Sequence, residues 1–84
     1  MNIPVDVIAV FNTQGKIKPC YVRLEDTEHA LHTYKIEHVE YDKNEKIAGI
    51  YSILFLCKII IEDCMRDIKL RYHTATHQWV FVSQ

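Results

Sequence analysis

Five histidines and three cysteines are the residues of this 84-residue chain whose types could bind a metal. His73 and His77 are four residues apart, a spacing that places two imidazoles on one face of a helix and occurs in zinc sites. Here the two histidines flank a predicted hairpin turn, so the helical argument does not apply to them. Cys57 or Cys64 could join them if the turn brought the two histidines together, and Cys64 is the candidate that we retain. Because a structural zinc site needs four ligands, we predict no metal site and no cofactor, and we keep these three residues as the candidates for a metal-binding alternative.

The cysteines also raise the question of nucleophilic catalysis. Cys57 lies inside the most apolar stretch of the chain, where a free thiol is usually a buried core residue. Cys64 has an acidic neighbour and a nearby arginine, which act in opposite directions on a thiolate. No serine, cysteine or threonine stands in a recognisable nucleophile motif. Gly15 and Gly49, the only glycines, are too far apart for a phosphate-binding loop. We therefore predict that the chain is not an enzyme.

Basic residues interleaved with aromatic ones suggest a second class of function, nucleic-acid binding. Aromatic rings on small β-barrels can stack on bases while lysine and arginine neutralise phosphates. The net charge of −1 argues against this class, because phosphate neutralisation supplies most of the affinity of nucleic-acid binders. A small β-barrel that contacts RNA or DNA is therefore the alternative, not the leading hypothesis. Its candidate residues are Lys16, Lys18, Arg23, Lys69 and Arg71.

Length and composition set the class of protein. A chain of 84 residues, 49% of them hydrophobic and 25% charged, is expected to form one globular domain over residues 1–84. The first residues lack the basic and apolar regions of a signal peptide. The most apolar stretch, 47–61, is broken by polar residues and is too short to span a bilayer. An odd number of cysteines does not make a disulfide framework. We expect a cytoplasmic protein with no membrane contact.

The end of the chain gives the clearest structural pattern. Apolar and charged residues alternate over 68–73, and a second apolar run covers 79–82. Alternation with period two is typical of a strand with one buried face, and two such runs joined by a short polar link predict an antiparallel hairpin. In this hairpin Trp79 should lie opposite Tyr72 or Leu70 as a cross-strand packing pair.

The first half of the chain predicts further strands. We expect strands over about 5–12 and 17–24, joined by a turn at Gln14 and Gly15. Pro19 should lie at an edge or beside a bulge, because proline cannot donate to a ladder. The segment 30–41 is ambiguous: a strand that switches faces near Glu37 or His38, or a helix near 28–39. We favour the strand. Charged turns are expected at 42–46 and at 63–65.

The stretch 47–62 is apolar on both sides when extended. One face carries the odd-numbered residues from Ile53 to Ile61, and the other carries Leu54, Leu56 and Ile60. A strand that is apolar on both sides is covered on both sides. A small one-layer barrel covers only its inner face, so we predict that Leu54, Leu56 and Ile60 form an interface with another protein or with a second copy of the chain.

Three segments resemble those of small, stand-alone, uncharacterised proteins of Gram-positive bacteria. They are Val-Phe-Asn-Thr-Gln-Gly-Lys-Ile-Lys-Pro (10–19), Leu-His-Thr-Tyr-Lys-Ile (31–36), and Leu-Arg-Tyr followed by His-Gln-Trp (70–72 and 77–79). The resemblance implies a protein that stands alone and implies no activity. Together these observations predict an all-β protein, a small antiparallel barrel or rolled sheet of five to six strands, with α+β as the alternative. The predicted function is a non-enzymatic interaction module that forms a homodimer.

Overall fold

The computed structural model describes residues 2–83 and folds them into seven β-strands. Their bounds are β1 (Asn2–Phe11), β2 (Ile17–Glu25), β3 (Leu31–Lys35), β4 (His38–Ile47), β5 (Ile50–Ile61), β6 (Cys64–His73) and β7 (Gln78–Val82). The all-β prediction is confirmed. The alternative with a helix near 28–39 is wrong, because β3 and β4 occupy most of that segment.

All seven strands belong to one antiparallel sheet in the order β3-β2-β1-β7-β6-β5-β4. The first and last strands of the chain pair with each other in the middle of the sheet. The sheet is not closed into a barrel, but it is rolled, since β3 at one end of the strand order contacts β5 near the other end. The predicted count of five to six strands is therefore corrected to seven, and of the two predicted forms, a small barrel or a rolled sheet, the barrel is not observed.

The additional strand arises where the chain crosses between the two edges of the sheet. Ile36 donates its backbone N–H to the carbonyl of Cys20 at 2.8 Å, and Glu37 donates its N–H to the carbonyl of Lys58 at 2.8 Å. The first bond reaches β2 and the second reaches β5, so two residues bridge the two ends of the rolled sheet. The face switch predicted near Glu37 is this crossing, which divides the single predicted strand into β3 and β4.

Two of the hairpins have the tightest loops that antiparallel strands allow. Ala48 and Gly49 connect β4 to β5 with φ of 51° and 82°, and Glu62 and Asp63 connect β5 to β6 with φ of 51° and 64°. Two consecutive positive φ angles are the pattern of a type I′ turn, whose twist matches that of the flanking strands. The charged segment 42–46, predicted as a turn, lies instead within β4.

The loops before and after β2 have the same hydrogen-bonding pattern and the same backbone conformation. Asn12 accepts the backbone N–H groups of the residues two and four positions later through its Oδ1, both at 2.9 Å. Asp26 does the same through its Oδ1 at 2.8 and 2.9 Å. The residue three positions later has a positive φ in both loops, 80° at Gly15 and 63° at His29. The predicted turn at Gln14 and Gly15 is confirmed.

The core lies on the inner, concave face of the rolled sheet. Its buried residues come from β2, β5, β6 and β7 and from the crossing at Ile36; partly buried residues of β1 and β3 pack against them. Trp79 lies opposite Tyr72, as predicted, with ring centroids 5.0 Å apart, and its ring is 5.5 Å from that of Phe55. The predicted bulge beside Pro19 is also confirmed, since the β1–β2 register shifts there.

Candidate functional site: an open strand edge

Strand β1 is paired on different sides in its two halves. Residues Asn2 to Val5 pair with β7, whereas Asp6 to Phe11 pair with β2. Strand β7 has only five residues and β1 has ten, so within the described chain no residue beyond Val5 is in register with β7. We call the side of residues 6–11 that faces away from β2 the open edge. The open edge has no neighbouring strand within the described residues.

The side chains along the open edge are apolar and accessible. Ile8, Val10 and Phe11 are 62%, 50% and 63% exposed. Val7 and Ala9 pack against the core cluster, so the alternation of the strand turns Ile8 and Val10 to the opposite, outer face of the sheet. Residues 7–11 include no charged group. This combination is the one that exposes an edge strand to association with another chain.

The two outermost strands of the sheet have a different composition. Strand β4 carries six charged residues or histidines among its ten, and charged side chains on an edge strand oppose pairing with another chain. Strand β3 has only five residues, with a histidine and a lysine among them, and short edge strands are a second such protection. On the open edge, residues 7–11 carry no charged side chain, and the strand to which they belong has ten residues.

Clefts flank the open edge at both ends. One, of about 520 Å³, opens where β1 departs from β7, and Val5, Val7 and Trp79 are among its lining residues. A second, of about 440 Å³, lies between Phe11 and Tyr72. The loop from β6 to β7 reaches both clefts but leaves space between itself and β1. The alternation of the sequence does not identify this site, because the open edge depends on which strands pair with β1 and over how many residues.

The predicted interface residues lie together on the outer face of β5. Leu54 is only 9% exposed, Leu56 is half-buried, and Ile60 is 44% exposed. The neighbour of Leu54 on β6 is Arg71, whose Nη2 lies 3.1 Å from Oε1 of Glu45 on the adjacent edge strand. Leu54 therefore has little surface left for a partner, and Ile60 has the most. Their role as an interface remains a prediction.

The basic residues proposed for nucleic-acid binding lie in separate places. Arg23 and Lys18 are on β2 and Lys69 and Arg71 on β6, with β1 and β7 between the two strands. Three strand spacings correspond to about 14 Å. Both arginines also have acidic partners: Arg23 Nη1 lies 3.7 Å from Oδ2 of Asp6, and Arg71 bonds to its glutamate. Local pairing of this kind weakens the attraction of the surface for phosphate.

Lys16, the fifth of these basic residues, lies in the loop between β1 and β2. Its backbone N–H is held by Asn12 Oδ1 at 2.9 Å. The side chain borders the 440 Å³ cleft. Lys16 therefore lies outside the two strands that carry the other four basic candidates.

The candidate metal ligands are not brought together. Cys64 begins β6 and His73 ends it, a separation of about 30 Å along an extended strand. His77 accepts or donates a hydrogen bond at 2.7 Å between its Nδ1 and the hydroxyl of Tyr72, whose side chain faces the core. His73 alternates with Tyr72 and so has the opposite orientation. Within residues 2–83 no group of three or more histidine, cysteine or acidic residues could hold a metal ion.

The cysteines differ in burial. Cys57 is fully buried in the core, and burial raises the pKa of its thiol to about 12. A thiol held neutral in this way is a poor nucleophile, because the thiolate is the reactive form. Cys64 is exposed, and Cys20 is intermediate in exposure. The sequence interpretation of Cys57 as a small core residue is confirmed.

The described residues contain no helix that could cross a membrane. No family model, no curated protein and no solved structure matches this chain. The function must therefore be argued from the open edge, the outer face and the chemistry of the residues that form them.

Proposed function

We propose that this chain is a non-enzymatic interaction module that associates with copies of itself. The observation that carries the proposal is the row of Ile8, Val10 and Phe11, each at least half exposed on one strand with no charge among residues 7–11. Full burial of a large aliphatic or aromatic side chain contributes about 1.5–3 kcal/mol. Three such side chains from each copy supply a substantial driving force for association, and a two-fold dimer is the commonest closed assembly.

The distribution of charge supports self-association over nucleic-acid binding. The ion pairs Arg23–Asp6 and Arg71–Glu45 neutralise two of the five basic candidates locally. The exposed apolar residues Ile8, Val10 and Phe11 lie on a strand without basic residues. We therefore expect no salt-dependent binding of single-stranded oligonucleotides at low ionic strength, where any phosphate-driven affinity is largest.

The experiment that tests the proposal is a mass determination in solution. Size-exclusion chromatography with light scattering, run over a range of micromolar concentrations, should give about twice the 9.9 kDa mass of the chain. The mass should fall toward that of the monomer on dilution, as mass action requires. A single species of monomer mass at every concentration would contradict the proposal. A fluorescent oligonucleotide titration on the same samples then tests the nucleic-acid alternative.

A further inference from the structure

We infer that two copies of this chain join through the open edge of β1, so that one continuous antiparallel sheet runs across both copies. This inference rests on the proposed function, self-association, and adds the surface and the pairing geometry. The occupant of the open edge is the same edge of a second copy.

Within residues 2–83, the backbone of residues 6–11 pairs with a strand on one side only, so the hydrogen-bonding groups on its other side have no strand partner there. In an antiparallel ladder the N–H and C=O groups of successive residues point alternately to the two sides of the strand. Strand β2 can satisfy only the groups on its own side. The remaining groups form a template for another strand, and the clefts beside Val5 and Phe11 leave that side of β1 uncovered. A second β1 supplies the complementary donors and acceptors.

The side chains fix the register of such a pair. Paired residues must lie on the same face of the joined sheet, which excludes any register that sets an outer residue opposite an inner one. A two-fold axis at Ala9 satisfies this condition. It sets Ile8 of each copy opposite Val10 of the other on the outer face, and Val7 opposite Phe11 on the inner face. β-Branched and aromatic cross-strand pairs of these types stabilise antiparallel sheets.

The neighbouring permitted register is less favourable. A two-fold axis at Ile8 keeps the faces matched but sets Asp6 of each copy opposite Val10 of the other. A carboxylate beside an apolar side chain in a newly covered surface would lose hydration without gaining a partner. Arg23 is the cross-strand neighbour of Asp6 and lies 3.7 Å from it, which already holds the carboxylate away from the edge. The axis at Ala9 avoids this cost.

Identical uncharged edges suit a second copy better than an unrelated partner. Residues 7–11 carry no charge and offer no electrostatic feature that would select a charged segment of another protein. The segment also does not repel its own copy, since like charges are absent from every pair in the Ala9 register. The charged composition of β4 would oppose the same pairing at that edge.

Lysine substitutions on the exposed side of β1 test the inference. Ile8→Lys and Val10→Lys change side chains that point away from the core, so the fold should persist, as circular dichroism and thermal melting will check. Each variant should raise the dimer dissociation constant at least about tenfold, measured by sedimentation equilibrium, since about 1.4 kcal/mol corresponds to a factor of ten. Ile47→Lys is the matched control, since Ile47 is as exposed as these residues but lies at the end of β4. It should leave the constant unchanged within about twofold.

The possible outcomes separate the inference from the proposed function. A wild-type chain that is monomeric at every concentration overturns both. A wild-type dimer that Ile8→Lys and Val10→Lys leave intact overturns the open-edge inference alone. If Ile60→Lys dissociates the dimer instead, the predicted outer face of β5 is the interface, and the inference is again wrong.

Hydrogen exchange of the wild-type chain gives a measurement that does not depend on the folding of any variant. Mass spectrometry at low and high protein concentration should show added amide protection over residues 6–11 when the dimer forms. The matched segment is β4, which should exchange at the same rate at both concentrations. Concentration-dependent protection confined to β4 or β5, with residues 6–11 unchanged, would refute pairing through β1.

Discussion

Replacement of Trp79 by alanine should remove a large part of the stability of this fold. Trp79 is almost fully buried and contacts the rings of Tyr72 and Phe55 at centroid distances of 5.0 and 5.5 Å. It also lies opposite Val5, at the last paired position between β1 and β7. The side chain therefore joins the inner faces of three strands where β1 departs from the rest of the sheet.

The magnitude follows from burial. Truncation of a buried tryptophan to alanine typically costs about 3–5 kcal/mol, because the transfer free energy is lost and a cavity remains. Small domains have total stabilities of about 5–15 kcal/mol. For a chain of this size each kcal/mol lowers the melting temperature by about 4–8 °C. We therefore expect Trp79→Ala to lower the melting temperature by about 12 °C or more.

The assay is thermal and urea unfolding followed by far-ultraviolet circular dichroism, since Trp79 is the only tryptophan and its fluorescence is lost in the variant. Tyr51→Ala is the matched control, because Tyr51 is an exposed aromatic residue whose only described ring contact is with Lys46. It should change the stability by less than about 1 kcal/mol. All samples need the same protein concentration, since self-association would stabilise the folded state. Equal melting temperatures for Trp79→Ala and the wild type would refute the assignment of the concave face as the core.

Three further predictions concern polar groups. Arg71→Gln should cost about 1–3 kcal/mol in urea unfolding, because it leaves the poorly exposed carboxylate of Glu45 without its partner. The double variant with Glu45→Gln should cost less than the sum of the singles, and strict additivity would contradict coupling. Between pH 9 and 12 the wild type should lose about 1.4 kcal/mol of stability per pH unit relative to Cys57→Ala. The reason is that the unfolded thiol ionises near its ordinary pKa of 9.0, whereas burial keeps the folded thiol protonated up to a pKa of about 12; identical pH profiles would disprove this. Hydrogen bonding to His32 holds the pKa of Asp26 below its ordinary value of 3.8. The loop that the Asp26 carboxylate stabilises should therefore keep its amide protons protected from exchange above pH 3.8. This protection should be lost as the pH falls through the lowered pKa of Asp26. Asp26→Ala should accelerate amide exchange in residues 28–30 at neutral pH, and unchanged rates would contradict the role of its Oδ1.

The strands that the sequence predicts best are those with the clearest alternation. The β6–β7 hairpin and its Trp79–Tyr72 pair follow from period-two patterning, because one buried face is enough to fix both strand and register. The segment 30–41 was harder, since Ile36 occupies a crossing whose hydrogen bonds go to β2 and β5. No local pattern identifies partners so distant in the sequence. The charged segment 42–46 resembled a turn because an outer edge strand needs protection from pairing, and charge provides it.

The candidate site could be predicted only in part. The alternation of β5 places Leu54 and Ile60 on one face, as expected. The sequence does not reveal that the Arg71–Glu45 ion pair lies close to Leu54, because that contact depends on the register of three strands. The open edge depends on how many residues of β1 the short strand β7 can pair with. That number is a property of the whole sheet and not of either segment. Ile8 and Val10 therefore look like ordinary strand residues in the sequence.

The matching loops at the two ends of β2 show that two different sequences adopt one loop conformation. An amide from Asn12 and a carboxylate from Asp26 hold the same pattern of N–H groups, and glycine or histidine fills the left-handed position. Because a neutral amide and a charged carboxylate hold the same backbone pattern, the charge at either end of β2 can differ while the conformation of the loop stays the same.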